Sequence, residues 1–133
     1  STTNPSSVSQ AAAVAALEGG QDLLSERREI YRKRRNQMVL SINSIDGLST
    51  ETPDGGFYLF VCCKELLGRR KPSGEVLTSD IALVEYLLES SEVALVPGSE
   101  FGSPNYFRLC FAQETDVLAA AVKRINEACK LLR

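Results

Sequence analysis

The 133-residue sequence contains no histidine and no tryptophan, and its only methionine is Met38. The missing histidine removes the commonest general base, any His-based nucleophilic triad and the usual nitrogen ligand of a zinc site. The four cysteines, Cys62, Cys63, Cys110 and Cys129, form no C-x-x-C pair, which excludes the common zinc and thiol-redox signatures. They are expected to be reduced, buried thiols of a cytoplasmic protein, with Cys62 and Cys63 on opposite faces of a strand. No run approaches the roughly eighteen apolar residues of a membrane span, and no signal-peptide pattern opens the chain. No G-x-G-x-x-G or P-loop pattern supplies a phosphate cradle. Fifteen Lys and Arg stand against 17 Asp and Glu, a formal net charge of −2, so there is no general attraction to nucleic acid or to a membrane. A catalyst working with these residues alone lacks the usual tools, so no catalytic residue and no metal site are expected in this chain.

What is present is enough for one domain with a real core: 44% of the residues are apolar and 24% charged. The opening "STTNPSSVSQ" carries no initiator Met, and the chain is expected to be a piece of something longer. Asn4-Pro5 reads as a cap followed by proline in the first helical turn. The Ala-rich stretch to Leu17 then forms a helix that Gly19-Gly20 ends. From Asp22 to about Ile45 neither Gly nor Pro intervenes, which predicts a longer helix. Its stripe of Leu24, Tyr31, Met38, Ile42 and Ile45 is interrupted by Arg27, Arg28, Arg34 and Arg35, so only its second half is apolar. The segment "ERREIYRKRR", 26–35, reads as a solvated or interdomain face, because Glu26 and Glu29 dilute its six basic residues. The first helix has little within this chain to pack on, which predicts an exposed apolar surface there.

A short strand is predicted near 48–51, followed by the turn "PDGG". In "GFYLFVCC", 56–63, both alternating faces are apolar, as in a strand covered on both sides. The polar, turn-rich segment 64–78 is expected to be a surface insertion. Thr78 or Ser79 caps a helix over 80–90 with Ile81, Val84, Leu87 and Leu88 on its inner side. Strands follow at 93–96 and 105–112, and a last helix at about 114–132 carries the stripe Leu118, Ala121, Val122, Ile125, Cys129 and Leu132. The order α-α-β-β-α-β-β-α predicts an α+β, two-layer domain: a small sheet of about three or four strands with helices mainly on one face. Residues 1–45 form a linker and long helix, and 46–133 the sheet-and-helix core.

One charge breaks the apolar pattern. In the strand 105–112 alternation puts Phe107, Leu109 and Phe111 on one face and Tyr106, Arg108, Cys110 and Ala112 on the other. Arg108 therefore points away from the core. It either pairs with a surface carboxylate or presents its planar fork to a carboxylate or phosphate ligand. Glycines 55, 56, 98 and 102 cluster in the flanking loops, as turn residues or as points of close approach.

The pieces "STTNPSSVSQAA", "YRKRRNQMV", "PDGGFYLFV", "VALVPGSEFG" and "NYFRLCFA", in that order and spacing, resemble the C-terminal small domain of fold-type I, pyridoxal-phosphate-dependent aminotransferases. The resemblance covers essentially the whole chain and is strongest to bacterial aspartate aminotransferases; "LLGRRKPSGEVLTSD" looks like the branch whose members sometimes also accept prephenate. It implies that Arg108 binds the substrate α-carboxylate, with the Phe101-Gly102 and Gly55-Gly56 loops bordering the same cleft. The resemblance also implies a parent enzyme that moves the amino group of L-aspartate to 2-oxoglutarate with pyridoxal phosphate. That enzyme would be a cytoplasmic homodimer, with a large cofactor-binding domain on the same polypeptide and amino-acid and 2-oxo-acid substrates. The family's Schiff-base lysine sits in an S-x-x-K context, and none of Lys33, Lys64, Lys71, Lys123 and Lys130 has a serine three residues before it. The resemblance thus implies an inactive fragment that binds no cofactor. The alternatives are a stand-alone module for small carboxylates and a purely structural interaction domain.

Overall fold

The two strongest apolar alternations in the sequence pair at the centre of the sheet. The computed structural model describes residues 3–133. Within them β2 (Tyr58–Cys62) and β4 (Tyr106–Cys110) run antiparallel, flanked by the short edge strands β1 (Ser49–Thr50) and β3 (Val96–Pro97), in the order β1-β2-β4-β3. Pro97 lies on an edge strand, where a missing N–H removes no ladder bond. Leu59 and Val61 of β2 and Phe107 and Leu109 of β4 are buried on one face. Four helices complete the α+β domain: α1 (Ser7–Glu18), α2 (Asp22–Asn43), α3 (Asp80–Ser91) and α4 (Thr115–Lys130).

The chain divides into two units, one ending at Ile30 and one spanning Tyr31–Arg133, so the division falls inside α2. In the first unit α1 buries none of its residues. Val8, Val14 and Leu17 of α1 are exposed, as are Leu23, Leu24 and Ile30 at the front of α2, in line with the expected exposed apolar surface. The cap of α1 is Ser6 rather than Asn4: the Ser9 N–H donates to its hydroxyl at 3.2 Å, leaving Pro5 outside the helix.

The second unit has one continuous core. Met38, Val39 and Ile42 of α2, Leu83, Val84 and Leu87 of α3, and Leu118, Val122, Ile125 and Cys129 of α4 meet the buried sheet face there. The stripe expected for α4 is the one buried, with Ala121 half-covered. The stripe of α3 is rotated from expectation. Ile81 and Leu88 are exposed, whereas Leu83 and Tyr86 turn inward. The reason is polar as well as apolar: the buried Tyr86 hydroxyl donates to the Ala128 carbonyl of α4 at 2.9 Å, and that bond needs Tyr86 on the α4 side.

Two further expectations are corrected. The segment 64–78 is no detached excursion, because Leu66 and Leu77 are fully buried and backbone bonds tie Gly68 to Leu77 and Arg70 to Arg133. β2 is covered on one face only among the described residues, for Tyr58 and Phe60 stand exposed. That open face carries the candidate site.

Candidate functional site

Strand register decides which side chains share the open face. Phe60 and Val96 lie directly opposite Arg108, one on each side, and Tyr58 pairs with Cys110. Residues opposed in this way project to the same side of a sheet. Arg108 therefore rises from the central strand among aromatic neighbours, on the face that alternation assigns to it. Its guanidinium carbon lies 4.3 Å from the Tyr58 ring centre and 4.6 Å from that of Phe101. Phe101 meets Phe60 edge-on at 6.3 Å, and Phe60 stacks on Tyr106 at 5.1 Å and 9°. Arg108 is half-buried, and among the described residues no carboxylate pairs with it and no hydrogen bond occupies its donors. The surface-pair alternative thus finds no partner. A guanidinium packed on two rings, with its in-plane donors unspent, is suited to receive an anion edge-on.

Phe101 is delivered by a loop with little freedom. Residues 98–101 form a short 3-10 turn closed by Gly102 N–H to Ser99 O at 3.1 Å and Ser103 N–H to Gly98 O at 3.0 Å. Gly102 and Asn105 both take left-handed backbone angles, with φ of 72° and 71°. The Asn105 carbonyl accepts from the Cys63 backbone N–H at 2.8 Å and from its thiol at 3.1 Å, which locks the start of β4 to the end of β2. The Phe101-Gly102 loop thus borders Arg108 as expected. The Gly55-Gly56 loop is exposed, with open space about both glycines.

Asp80 anchors this loop from below, and no pattern in the sequence marked it. It is 2% exposed and opens α3 just after the Ser79 cap. It accepts from the Ser99 backbone N–H at 2.8 Å and from the Ser99 hydroxyl at 2.7 Å. Burial alone would raise its pKa. The bonds from Ser99, with the backbone N–H groups of Asp80 and Asn105, outweigh burial and hold it below the usual carboxylate value. A folded-state pKa below the unfolded one means that the unfolded chain binds more protons in that window. The stabilisation is therefore fully present above the unfolded value of about 3.9 and is lost as pH falls through the folded value. Asp80→Asn is expected to cost about 1–2 kcal/mol at neutral pH. The cost should shrink towards zero in acid, because wild-type Asp80 is itself protonated there. Denaturant melts of both proteins across pH check this; a cost independent of pH would refute it.

The thiols divide by burial. Cys63 and Cys129 are buried, and burial pushes their pKa values up to about 12 and about 11. Cys62 is half-buried and Cys110 exposed on the open face, which corrects the expectation of four buried thiols: β4 turns Cys110 to the same side as Arg108. Among the described residues no group of His, Cys, Asp and Glu could hold a metal ion, and no helix is long and apolar enough to cross a membrane.

Arg108 thus stands among aromatic rings on the open face of a four-stranded antiparallel sheet whose other face is packed by helices. The chain belongs to the class I and II aminotransferase family, whose model matches residues 1–125. It is similar to the aspartate aminotransferase of Rhizobium meliloti, with 50% identity over 131 residues, covering 98% of this chain and 32% of that protein. A probable aspartate/prephenate aminotransferase of Rhizobium leguminosarum bv. phaseoli is 40% identical over 96% of this chain and 32% of its own length. The crystal structure of the aspartate aminotransferase from Rhizobium meliloti superposes with a TM-score of 0.94 at 45% identity, covering all of this chain and 33% of that one. The chain thus spans about a third of the length of the relatives it matches.

The family implies pyridoxal phosphate, and the lysines among the described residues are not placed to hold it. Lys33, Lys64 and Lys130 are exposed. Lys71 pairs with Glu75 at 3.0 Å and Lys123 with Glu127 at 4.0 Å. None lies on β2 or β4, and none is buried and free to form a covalent bond beside Arg108.

Proposed function

We propose that this chain is the substrate-clamping small domain of an aspartate aminotransferase, and that Arg108 binds the substrate α-carboxylate. The parent enzyme would transfer the amino group of L-aspartate to 2-oxoglutarate. Pyridoxal phosphate, held by a large domain of the same polypeptide, would act as the amino-group carrier in a homodimer. The observation that carries this reading is the half-buried Arg108 guanidinium, packed on Tyr58 and Phe101 with no carboxylate partner among the described residues. A charge-assisted, bidentate bond to a carboxylate would use the donors that the protein leaves open. Closure of this domain over the substrate would exclude water and strengthen that bond. The kinship to aspartate aminotransferases supports aspartate as the substrate. The test is aspartate turnover by the full-length protein with Arg108 intact and replaced; unchanged turnover in Arg108→Ala would overturn the reading.

The 133-residue chain alone is expected neither to hold the cofactor at one lysine nor to transaminate. Incubating it with pyridoxal phosphate, reducing with borohydride and mapping the modified lysines should give scattered, substoichiometric labelling of exposed lysines. Stoichiometric labelling of a single lysine, with a matching visible band, would contradict the proposed division of labour.

A further inference from the structure

The Arg108 guanidinium has no protein hydrogen bond among the described residues to hold it in place, yet it packs against two rings. Tyr58 and Phe101 make no ring contact with each other, and Arg108 bridges them at 4.3 Å and 4.6 Å. Phe101 is braced at its edge by Phe60, which is in turn stacked on Tyr106. Its backbone is fixed two residues earlier, where Ser99 donates twice to buried Asp80. Tyr58 is braced by Phe57, with ring centres 4.6 Å apart. Each ring that touches the guanidinium therefore has its own support within the chain.

Resting on the reading of Arg108 as an anion fork, we propose that Tyr58 and Phe101 are positioning and specificity residues. They hold the guanidinium plane so that the site takes a planar carboxylate in preference to a tetrahedral oxyanion. The five N–H donors of a guanidinium lie in its plane, and a planar guanidinium stacks its face on aromatic rings. Rings packed on the face leave only the edge for a ligand. A carboxylate enters edge-on with both oxygens in the guanidinium plane and no atoms above or below it. A sulfonate or phosphonate that offers two oxygens to the same fork must carry its remaining groups out of that plane, towards the rings. The rings thus act twice: they fix the direction of the donors, and they exclude by shape an anion of the same charge. Asp80 contributes at one remove, through the Ser99 anchor of the Phe101 loop.

Side-chain NMR of the 133-residue chain reads both effects. The Arg108 Nε–H resonance is expected upfield of the other arginines, because it lies in the ring currents of Tyr58 and Phe101. Titration with acetate and with methanesulfonate, monoanions that differ in geometry, should shift that resonance at lower acetate concentration. In Tyr58→Leu and Phe101→Leu the upfield displacement should shrink and the acetate-to-methanesulfonate affinity ratio should fall by about threefold or more, the scale of a lost cation–π contact. Phe101→Tyr should restore both. These side chains lie on the open face, 38% and 48% exposed, so the variants should melt with the wild type; a loss of fold without change in the ratio is not expected of them. An Arg108 resonance at the position of a free arginine, no displacement by either anion, or an unchanged ratio in the folded Leu variants would overturn the proposal. Arg108→Ala separates the two levels. If that variant, followed by the backbone amide resonances of residues 58–60 and 101, binds acetate as the wild type does, the anion-site reading itself is wrong. If it loses acetate while both Leu variants keep the wild-type ratio, only the role of the rings is wrong.

Discussion

Arg108→Ala in the full-length protein should lower kcat/KM for aspartate by about two to four decades while leaving the melting temperature almost unchanged. The loss corresponds to roughly 3–5 kcal/mol of transition-state stabilisation, the scale of a charge-assisted double hydrogen bond in a water-poor cleft. Arg108→Lys should recover only part of it, since a point charge cannot reproduce two parallel donors and loses the guanidinium contacts with Tyr58 and Phe101. Stability should change by less than about 1 kcal/mol, because the side chain leaves the core face to Phe107 and Leu109 and its ring contacts are partly solvated. A structural arginine predicts the reverse, with a lower melting temperature and catalysis nearly intact. Steady-state kinetics and a thermal melt on the same two variants decide between them.

Gly98→Ala should be among the most destabilising single-methyl changes in the chain. A Cβ at that position would sit 2.3 Å from the Ser103 carbonyl oxygen, 2.7 Å from that of Tyr106 and 2.8 Å from the Tyr106 Cβ. None of these atoms can swing aside, because two belong to the backbone and the third is fixed to it. Relief requires the 98–105 loop to part from the first residue of β4. Overpacking of this kind costs about 3 kcal/mol, a fall in melting temperature of roughly 10–15 °C for a domain of this size. The loop also carries Phe101, so the full-length variant should lose affinity for substrate beyond what its fraction unfolded explains. Gly55→Ala is the control. No atom lies within 4 Å of its added methyl, and its φ is not in the left-handed region, so it should stay within about 0.5 kcal/mol of wild type. Equal melting temperatures for the two variants would show that the loop is not packed as described.

Much of this architecture is local in origin and therefore legible in one dimension. Period 3.6 in Leu118, Val122, Ile125 and Cys129 specifies the inner face of α4 with no knowledge of its partner, and all four are buried. Ser79 before an apolar run marks the start of α3, and its hydroxyl accepts from Ala82 N–H at 3.2 Å. Elsewhere the local signal is degenerate. In "DIALVEYLLESS" apolar residues occupy most of the circumference, so two overlapping stripes fit equally well. The polar bond from Tyr86 to α4 selects between them. Segment 64–78 looks polar and turn-rich because only Leu66 and Leu77 are fully buried in it, and their pairing depends on distant core residues.

The same division runs through the candidate site. The sequence by itself determined that Arg108 leaves the core, because a strand has a strict two-residue period and Phe107 and Leu109 claim the other side. It also supplied the likeness from which a carboxylate ligand is proposed for that arginine. Only the tertiary structure decided what surrounds the charge. Tyr58 reaches it across the β2–β4 register, Phe101 reaches it from a loop, and Asp80 holds that loop from the first turn of a helix 19 residues before Ser99 in sequence. Contacts of this kind leave no periodicity to read, because each joins segments whose separation along the chain is set by intervening elements. A buried aspartate and an aromatic loop residue become a support for one guanidinium only when the chain has folded back on itself.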